Sequence, residues 1–386
     1  MRRWSLCLST FLVSALVFQS VNAHENQRLT QPRPAVDVAI LLDTSNSMDG
    51  LIDQAKSQLW TIINEFASAK RHGLTPTLRV ALFEYGNSGL PAGEGYIRQV
   101  VPLTDDLDVL SEALFSLTTN GGDEYCGQVI NEAVKRLDWT GEPNAYKAIF
   151  IAGNEPFTQG QVDYKQACAY AIGHGVIVNT IHCGDYNSGV QGMWQHGAKL
   201  TEGNYLNINQ DRAVVHIDAP QDVELIEYNR RLNSTYLWYG QEGQAAGARQ
   251  MQQDTNAASY GRANLSQRVA SKSSGAYSNE KTDLVDALKS EAVELGDVAD
   301  DDLPAVMKDM TEDQRASYVK EQTAEREAIQ GKIRELTTAR DKYVAEERKR
   351  LADSDDETTL GEAVVQSVRE QLLNAGFETK ATGTAE

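Results

Sequence analysis

The sequence predicts an α/β fold, with a doubly wound, mostly parallel and Rossmann-like sheet followed by a helical extension. Over residues 35–240, apolar runs of strand length alternate with amphipathic helical segments, which is typical of a parallel sheet covered on both faces. The first run, Val36–Leu42, is apolar enough for a strand that is buried on both sides. A charged segment at about 311–351 then has the length and pattern of one long helix.

The elements of the first half follow in order from their periodicity and from the Gly- and Pro-rich turns between them. The strands are expected at 36–42, 77–85, 96–103, 148–152, 176–182 and 205–208. The helices are expected at about 51–71, 106–115, 126–137, 162–172, 193–200 and 223–237. The second and third strands are joined by a Gly/Pro-rich turn, which predicts a hairpin.

The amino terminus has the form of a secretory signal peptide over residues 1–23. Two arginines precede a short apolar stretch, and small residues stand before the expected cleavage point. We therefore expect an exported protein, periplasmic or secreted, whose mature chain begins with a polar leader at 24–34. An uncleaved anchor is the alternative. The apolar stretch is short for a membrane span, and no other segment is apolar enough, so no span is expected in the mature chain.

The chain is acidic, with a formal net charge of -19. This charge argues against nucleic acid or anionic lipid as a partner. Three of the four cysteines, Cys126, Cys168 and Cys183, lie outside the signal peptide and within residues 35–240. Because an oxidising compartment permits disulfides, we expect one bridge and one free thiol, with the pairing open. Three buried thiols are the alternative.

The second half of the chain is polar and charged. Residues 241–280 have no sustained apolar period and predict a polar connector, extended or weakly helical. Residues 281–386 predict an acidic helical region, with helices at 283–295, about 311–351 and 360–373. A capping box at 311–314 begins the long helix, which carries a narrow apolar stripe formed by Ile329, Ile333, Leu336 and Tyr343. The stripe predicts either a coiled coil, with self-association through helices, or packing on a neighbouring helix.

The loop after the first strand carries oxygen-bearing side chains at alternate positions, Asp43, Ser45 and Ser47. In near-extended backbone alternate residues point the same way, so these three can present oxygens to one cation. Oxygen ligands suit Mg²⁺, or Ca²⁺ or Mn²⁺, better than softer metals. One carboxylate leaves a divalent ion under-neutralised, so the ion would still accept an acidic group from a partner. The alternative is a serine-rich turn that caps the following helix.

The pattern Asp-x-Ser-x-Ser, between a buried strand and an amphipathic helix, resembles the metal-ion-dependent adhesion site, MIDAS, of von Willebrand factor type A (VWA) domains. The resemblance covers about residues 35–240 and implies two further ligand loops. In the second loop Gly121-Gly122 is followed by Asp123 where the family often has threonine. Asp123 is therefore the candidate ligand there, and a turn residue or helix N-cap is the alternative.

In the third loop the family usually ends a central strand with Thr-Asp-Gly, whereas this chain has Gly153 in the place of the aspartate. The resemblance then leaves Asn154 or Glu155 to supply the oxygen, directly or through water. The signal peptide and the charged helical tail are similar to those of exported bacterial members of the family.

The resemblance implies an exported, metal-dependent protein-binding module whose cation engages an exposed acidic residue of a protein partner. A nucleophile with its base, a pair of carboxylates in a cleft and a phosphate loop are not recognisable in the sequence, so we expect no enzyme and no catalytic residues. The alternative is a structural or scaffolding protein of the cell envelope, with a degenerate metal site and contacts through its helical region.

Overall fold

A computed structural model describes residues 33–212, 214–351 and 359–379. The expected signal peptide at 1–23 and most of the leader at 24–34 lie outside these ranges, so both stay predictions. Within the ranges, no helix combines the length and the apolar character that a membrane crossing needs.

The fold is built on a six-stranded sheet with the strand order β3-β2-β1-β4-β5-β6. Its strands are β1 Ala35–Asp43, β2 Thr77–Tyr85, β3 Ile97–Thr104, β4 Tyr146–Gly153, β5 Ile177–Cys183 and β6 Tyr205–Ile208. The strands pair in parallel except in the predicted hairpin, where β2 and β3 are antiparallel. Strand β1 lies between β2 and β4, as its apolar sequence predicts. The doubly wound, mostly parallel sheet is confirmed.

Helices cover both faces of the sheet and continue as a helical region after it. Their bounds are α1 Asp49–Ser68, α2 Leu107–Ser116, α3 Cys126–Arg136, α4 Tyr164–Gly173, α5 Tyr186–Gln191, α6 Trp194–Lys199, α7 Asp222–Asn233, α8 Gly243–Ser259, α9 Arg262–Lys272, α10 Leu284–Lys289, α11 Glu312–Leu351 and α12 Leu360–Asn374. Helices α3 and α4 pack on one face, and α1, α2 and α12 pack on the other. The predicted helical extension is confirmed.

Strand β1 shows how the period of two orients the candidate site. Val38 and Leu42 pack toward α1, and Ala39 and Leu41 pack toward α3 and α4. By the same alternation Asp43, the last residue of the strand, faces the α3 side. Its carboxylate therefore points toward the loop that precedes α3.

The last helix, α12, returns to the sheet after the whole helical region. It packs on α1, and its Gln371 is hydrogen-bonded to Tyr146 Oη (2.6 Å) in β4 and to Asn179 Oδ1 (2.6 Å) in β5. Arg369 pairs with Glu65 of α1 at 2.6 Å. The core of the sheet therefore includes a helix that the expected boundary of 35–240 leaves out.

Residues 241–280, expected to be an extended or weakly helical connector, instead form α8 and α9. Their interior contacts are largely polar. Arg268 is fully buried and donates hydrogen bonds to Asp254 (2.5 Å) and to Asp108 of α2 (2.8 Å), while the buried Lys272 lies 3.2 Å from Asp254. The expectation relied on apolar periodicity, which buried ion pairs do not produce, so it did not anticipate this interior packing.

The apolar stripe of α11 is covered by the same chain. Three residues of the stripe are buried in the same hydrophobic core as α1 and the sheet face that it covers: Ile329, Ile333 and Leu336. Arg326 and Arg340, on the same helix, form buried ion pairs with Asp283 and Asp222. Of the two predicted uses of the stripe, the structure has packing on neighbouring helices, and these side chains are not available as a coiled-coil seam.

Cys126, Cys168 and Cys183 are all free and buried, so the expected disulfide is wrong and three buried thiols are found. Cys183 packs on the α1 side of the sheet, while Cys126 and Cys168 pack on the other side. The sheet itself therefore separates Cys183 from the other two sulfur atoms. Burial raises the pKa of Cys168 to about 12, so this thiol stays protonated and unreactive.

Candidate metal centre

The loop between β1 and α1 lies at the carboxyl ends of the parallel strands, the edge where open α/β sheets bind ligands. The backbone of Thr44 fixes this loop from both sides. Its N–H donates to the carbonyl of Tyr85 at the end of β2 (2.8 Å), and its carbonyl accepts from the N–H of Asn120 in the second loop (2.9 Å). The first and second loops predicted from the sequence are therefore adjacent.

Asp43, Ser45 and Ser47 meet at this edge as predicted, although the backbone is extended only to Ser45 and Ser47 lies in the 3₁₀ helix Asn46–Met48. The Asp43 side chain is fully buried, and its Oδ1 accepts a hydrogen bond from the Ser45 N–H (2.7 Å). The Ser45 and Ser47 hydroxyl oxygens lie 3.2 Å apart. Asp43 Oδ2 is buried and has no hydrogen-bond partner among the described residues. A buried carboxylate oxygen without a partner is costly, and a bound cation would satisfy it.

The third loop brings Asn154 to the site and leaves Glu155 exposed. Asn154 Nδ2 donates to Ser47 Oγ (3.1 Å), and its Oδ1 is a second buried oxygen without a partner in the described ranges. The Glu155 side chain is exposed. A β-carbon at Gly153 would lie 2.5 Å from Tyr85 Oη and 3.1 Å from Asp43 Oδ2. The aspartate that the family has there would therefore collide with the Tyr85 ring hydroxyl.

In the second loop, Glu124 and not Asp123 reaches Asp43. The Asp123 side chain is exposed and accepts a hydrogen bond from Tyr125 Oη (3.1 Å). Glu124 is buried, and its carboxyl group interacts with that of Asp43 strongly enough to shift its pKa. Gly86, with φ of 79°, makes room for both, because a β-carbon there would lie 2.7 Å from Asp43 Oδ1 and 2.8 Å from Glu124 Cγ.

The local sequence does not distinguish Glu124 from Asp123 as the residue that faces the site. The chain turns tightly as it enters α3, since the Cys126 N–H donates to the Glu124 carbonyl (3.2 Å), so the strand alternation of side chains does not apply here. Cys126, which is apolar enough for the core, is buried, and Glu124 two residues earlier is buried with it. Asp123 is exposed and Tyr125 is half-buried.

Burial raises the pKa of both carboxyl groups, Asp43 and Glu124. Burial, together with the neighbouring Asp43 charge, raises the pKa of Glu124 to about 9. Burial also raises the pKa of Asp43, to about 6. Interactions with Glu124 and Ser45 keep this increase smaller than burial alone would make it. Two carboxylates in contact cannot both ionise cheaply unless a positive charge joins them.

The donor atoms fit a hard divalent cation. Two carboxyl groups and two hydroxyl groups converge, with the Asn154 amide against Ser47, and oxygen ligands of this kind suit Mg²⁺, Ca²⁺ or Mn²⁺. In the described ranges, no group of three or more His, Cys, Asp or Glu side chains is arranged to hold a metal. Any ion here would therefore depend on serine and asparagine oxygens as well as on the two acids.

Comparisons with known proteins agree with this architecture. Residues 37–202 match the family model of the von Willebrand factor type A domain. A comparison with curated proteins found no match. Among solved structures, the chain is similar to the conserved hypothetical protein BatB from Bacteroides thetaiotaomicron, with 19% identity over 45% of this chain and 91% of that chain and a TM-score of 0.35.

Two further structures show the range of similar proteins. The SpRpn10 VWA domain is 15% identical over 46% of this chain and 90% of its own, with a TM-score of 0.37. Proximal thread matrix protein 1 from the mussel byssus, with a zinc-occupied MIDAS motif, is 14% identical over 47% of this chain and 43% of its own, with a TM-score of 0.35. The family match and the six-stranded, mostly parallel sheet identify residues 37–202 of this chain as a von Willebrand factor type A domain.

Proposed function

We propose that this protein is an exported, cation-dependent protein-binding module and not an enzyme. The observation that carries the proposal is Asp43 Oδ2, a buried carboxylate oxygen without a partner in the described ranges, beside two serine hydroxyl groups. Asp43, Ser45, Ser47 and Glu124 would hold Mg²⁺, Ca²⁺ or Mn²⁺, with Asn154 from the third loop. When bound, such an ion supplies an open position for an acidic group of a partner.

The residues of the proposed site would contribute differently to binding the ion. Asp43 and Glu124 supply the negative charge that offsets the ion, and the Ser45 and Ser47 hydroxyl groups supply neutral oxygens. The hydrogen bond from Asn154 to Ser47 orients the Ser47 hydroxyl. Because two carboxylates offset a divalent ion, its pull on a further carboxylate is weaker than with one acid.

The surroundings of the site constrain the partner further. Asp123, Glu155 and Asp185 are exposed in the loops at this edge, and each would repel an approaching carboxylate. We therefore propose that the acidic group of the partner is flanked by basic side chains, which offset this repulsion. Association would then weaken as ionic strength rises, because salt screens exposed charges.

The rival function is a structural or scaffolding role in the cell envelope, with contacts through the helical region. Gly153 favours it, since the third loop has no room for the usual carboxylate. Glu124 favours the binding module, because this second-loop residue places a second carboxyl group beside Asp43 and so replaces the one that the third loop lacks. Cation uptake separates the two functions.

Asp43→Asn is expected to abolish cation uptake. Titration calorimetry of the full mature chain with MgCl₂ and MnCl₂ should show one binding event in the wild type and none at millimolar metal in the variant. Asparagine keeps the size of the side chain but removes the charge that offsets the ion. A thermal melt of both proteins verifies that the variant is folded. Absence of uptake by the folded wild type contradicts the proposal.

The same pair of proteins tests partner binding. Proteins recovered from the native extract by immobilised wild type in Mg²⁺ should be lost when a chelator is present and when Asp43→Asn replaces the wild type. Recovery of the same proteins under all three conditions favours the scaffolding role.

Glu124→Gln and Asp123→Asn form a matched pair of variants, since each replaces one carboxyl group with its amide at neighbouring positions. We expect Glu124→Gln to weaken cation affinity more than about tenfold, because it removes a ligand. Asp123→Asn should change the affinity by less than about twofold, since its side chain is exposed and points away. The opposite ranking would assign the second-loop ligand to Asp123.

A further inference from the structure

Gln54, in the second turn of α1, is buried and joins three parts of the fold. Its Nε2 lies within hydrogen-bond distance of three backbone carbonyl oxygens after β6, those of Asn209 (2.8 Å), Gln210 (3.0 Å) and Arg212 (3.1 Å). Its Oε1 accepts from the N–H of Leu360, the first residue of α12 (2.9 Å). One amide side chain thus pairs with the segment 209–212 and with the start of the last helix.

The segment 209–212 in turn contacts the loop of the cation site. Gln210 Nε2 donates to the backbone carbonyl of Ser47 (2.8 Å). The approach is close because residue 50, in the first turn of α1, is glycine, and a side chain at Gly50 would collide with the Gln210 carbonyl. A chain of contacts therefore runs from Gln54 through Gln210 to Ser47.

We propose that Gln54 is a positioning residue of the cation site, which holds Ser47 in place through Gln210. Ser47 is exposed, and its backbone carbonyl receives this hydrogen bond from outside its own loop. Removing the Gln54 amide deprives the three carbonyl oxygens of a buried donor, and the segment must shift to reach water. The Gln210 contact then weakens, and the Ser47 hydroxyl loses its fixed position beside Ser45. This inference rests on the proposed function.

The chain offers a closely matched control in Gln58, one turn further along α1. Gln58 is also buried, and its Oε1 accepts from the N–H of Gly361, the second residue of α12. It therefore shares with Gln54 the contact to the start of α12. Only Gln54 has the further contact to residues 209–212. Replacing each glutamine with leucine therefore removes the contact to α12 in both variants, but removes the contact toward the cation site only in Gln54→Leu.

The test compares wild type, Gln54→Leu and Gln58→Leu as full mature chains titrated with MnCl₂ in a calorimeter. We expect Gln54→Leu to weaken Mn²⁺ affinity about tenfold or more, which is the usual effect of removing a residue that orients a metal ligand. Gln58→Leu should change the affinity by less than about twofold. Equal affinities in the two variants would overturn the proposal.

Hydrogen–deuterium exchange of the metal-free proteins provides a second readout. Peptides that cover 44–50 should exchange faster in Gln54→Leu than in wild type or Gln58→Leu, and unchanged exchange would overturn the proposal. This readout shows whether Gln54 holds the Ser47 loop in place even if the wild type takes up no cation, an outcome that defeats the proposed function and is seen separately by calorimetry.

Should Gln54→Leu fail to fold, Gln210→Ala tests the same link. The Gln210 side chain is half-buried at the surface, so truncation removes the contact to Ser47 without opening the core. It is expected to weaken Mn²⁺ affinity to a similar extent, and wild-type affinity in this variant would overturn the proposal.

Discussion

Replacing Arg268 with methionine is expected to lower the free energy of unfolding by about 3–5 kcal/mol, the usual cost of removing one partner from a buried ion pair. The Arg268 guanidinium is fully buried, pairs with Asp254 and Asp108, and lies 4.6 Å from the centre of the Trp60 ring. Methionine fills similar volume but donates no hydrogen bond. Asp108 then keeps no cation within ion-pair distance among the described residues, and it is itself buried.

Denaturation in guanidinium chloride measures this change, with Arg262→Met as the control. Arg262 is on the same helix, and its pair with Asp218 (2.9 Å) is exposed on both sides. Its loss should cost less than about 1 kcal/mol, as is usual for surface ion pairs. Equal destabilisation by the two variants would show that the buried network contributes no more than a surface pair.

The Arg268 network also explains which parts of the fold were predictable. Three elements follow from local patterns in the sequence. Strand β1 follows from its apolar run, the first loop from its alternating oxygen-bearing residues, and helix α11 from its capping box. Helices α8 and α9 do not, because the partners of Arg268 and Lys272 are brought together by the fold. A polar residue in a sequence carries no sign of whether it is solvated or paired in the interior.

The candidate site divides in the same way. Asp43, Ser45 and Ser47 are on one short loop, so their closeness follows from the sequence, although Ser47 is placed by the 3₁₀ turn Asn46–Met48 and not by strand alternation. The contribution of the other loops depends on side-chain volumes that meet only in the fold. Tyr85 occupies the space beside Gly153, and Gly86 leaves the space into which Glu124 extends. Neither relation is visible from the loops taken singly.

A chain that ends at Gly240 is expected to lose cooperative folding, although it contains every strand of the sheet. Helix α12 contributes Leu360, Val364, Val368 and Leu372 to the core, and all four side chains are buried. Burial of a side chain of this size is worth about 1.5–3 kcal/mol, so their joint loss is comparable to the whole stability of a domain. The truncation also removes Arg268 from the buried Asp108.

The measurement is the thermal transition of residues 33–240 against a control of residues 33–379, which keeps α12. The control should unfold cooperatively, and the truncated chain should aggregate or show no transition. A full-length Val368→Asp variant separates α12 from the rest of the helical region, because it places an unpaired charge between α12 and the sheet while leaving α8 and α9 intact. We expect it to be destabilised by more than about 3 kcal/mol. Wild-type stability in that variant, or a cooperative transition in 33–240, would mean that the sheet is complete without its returning helix.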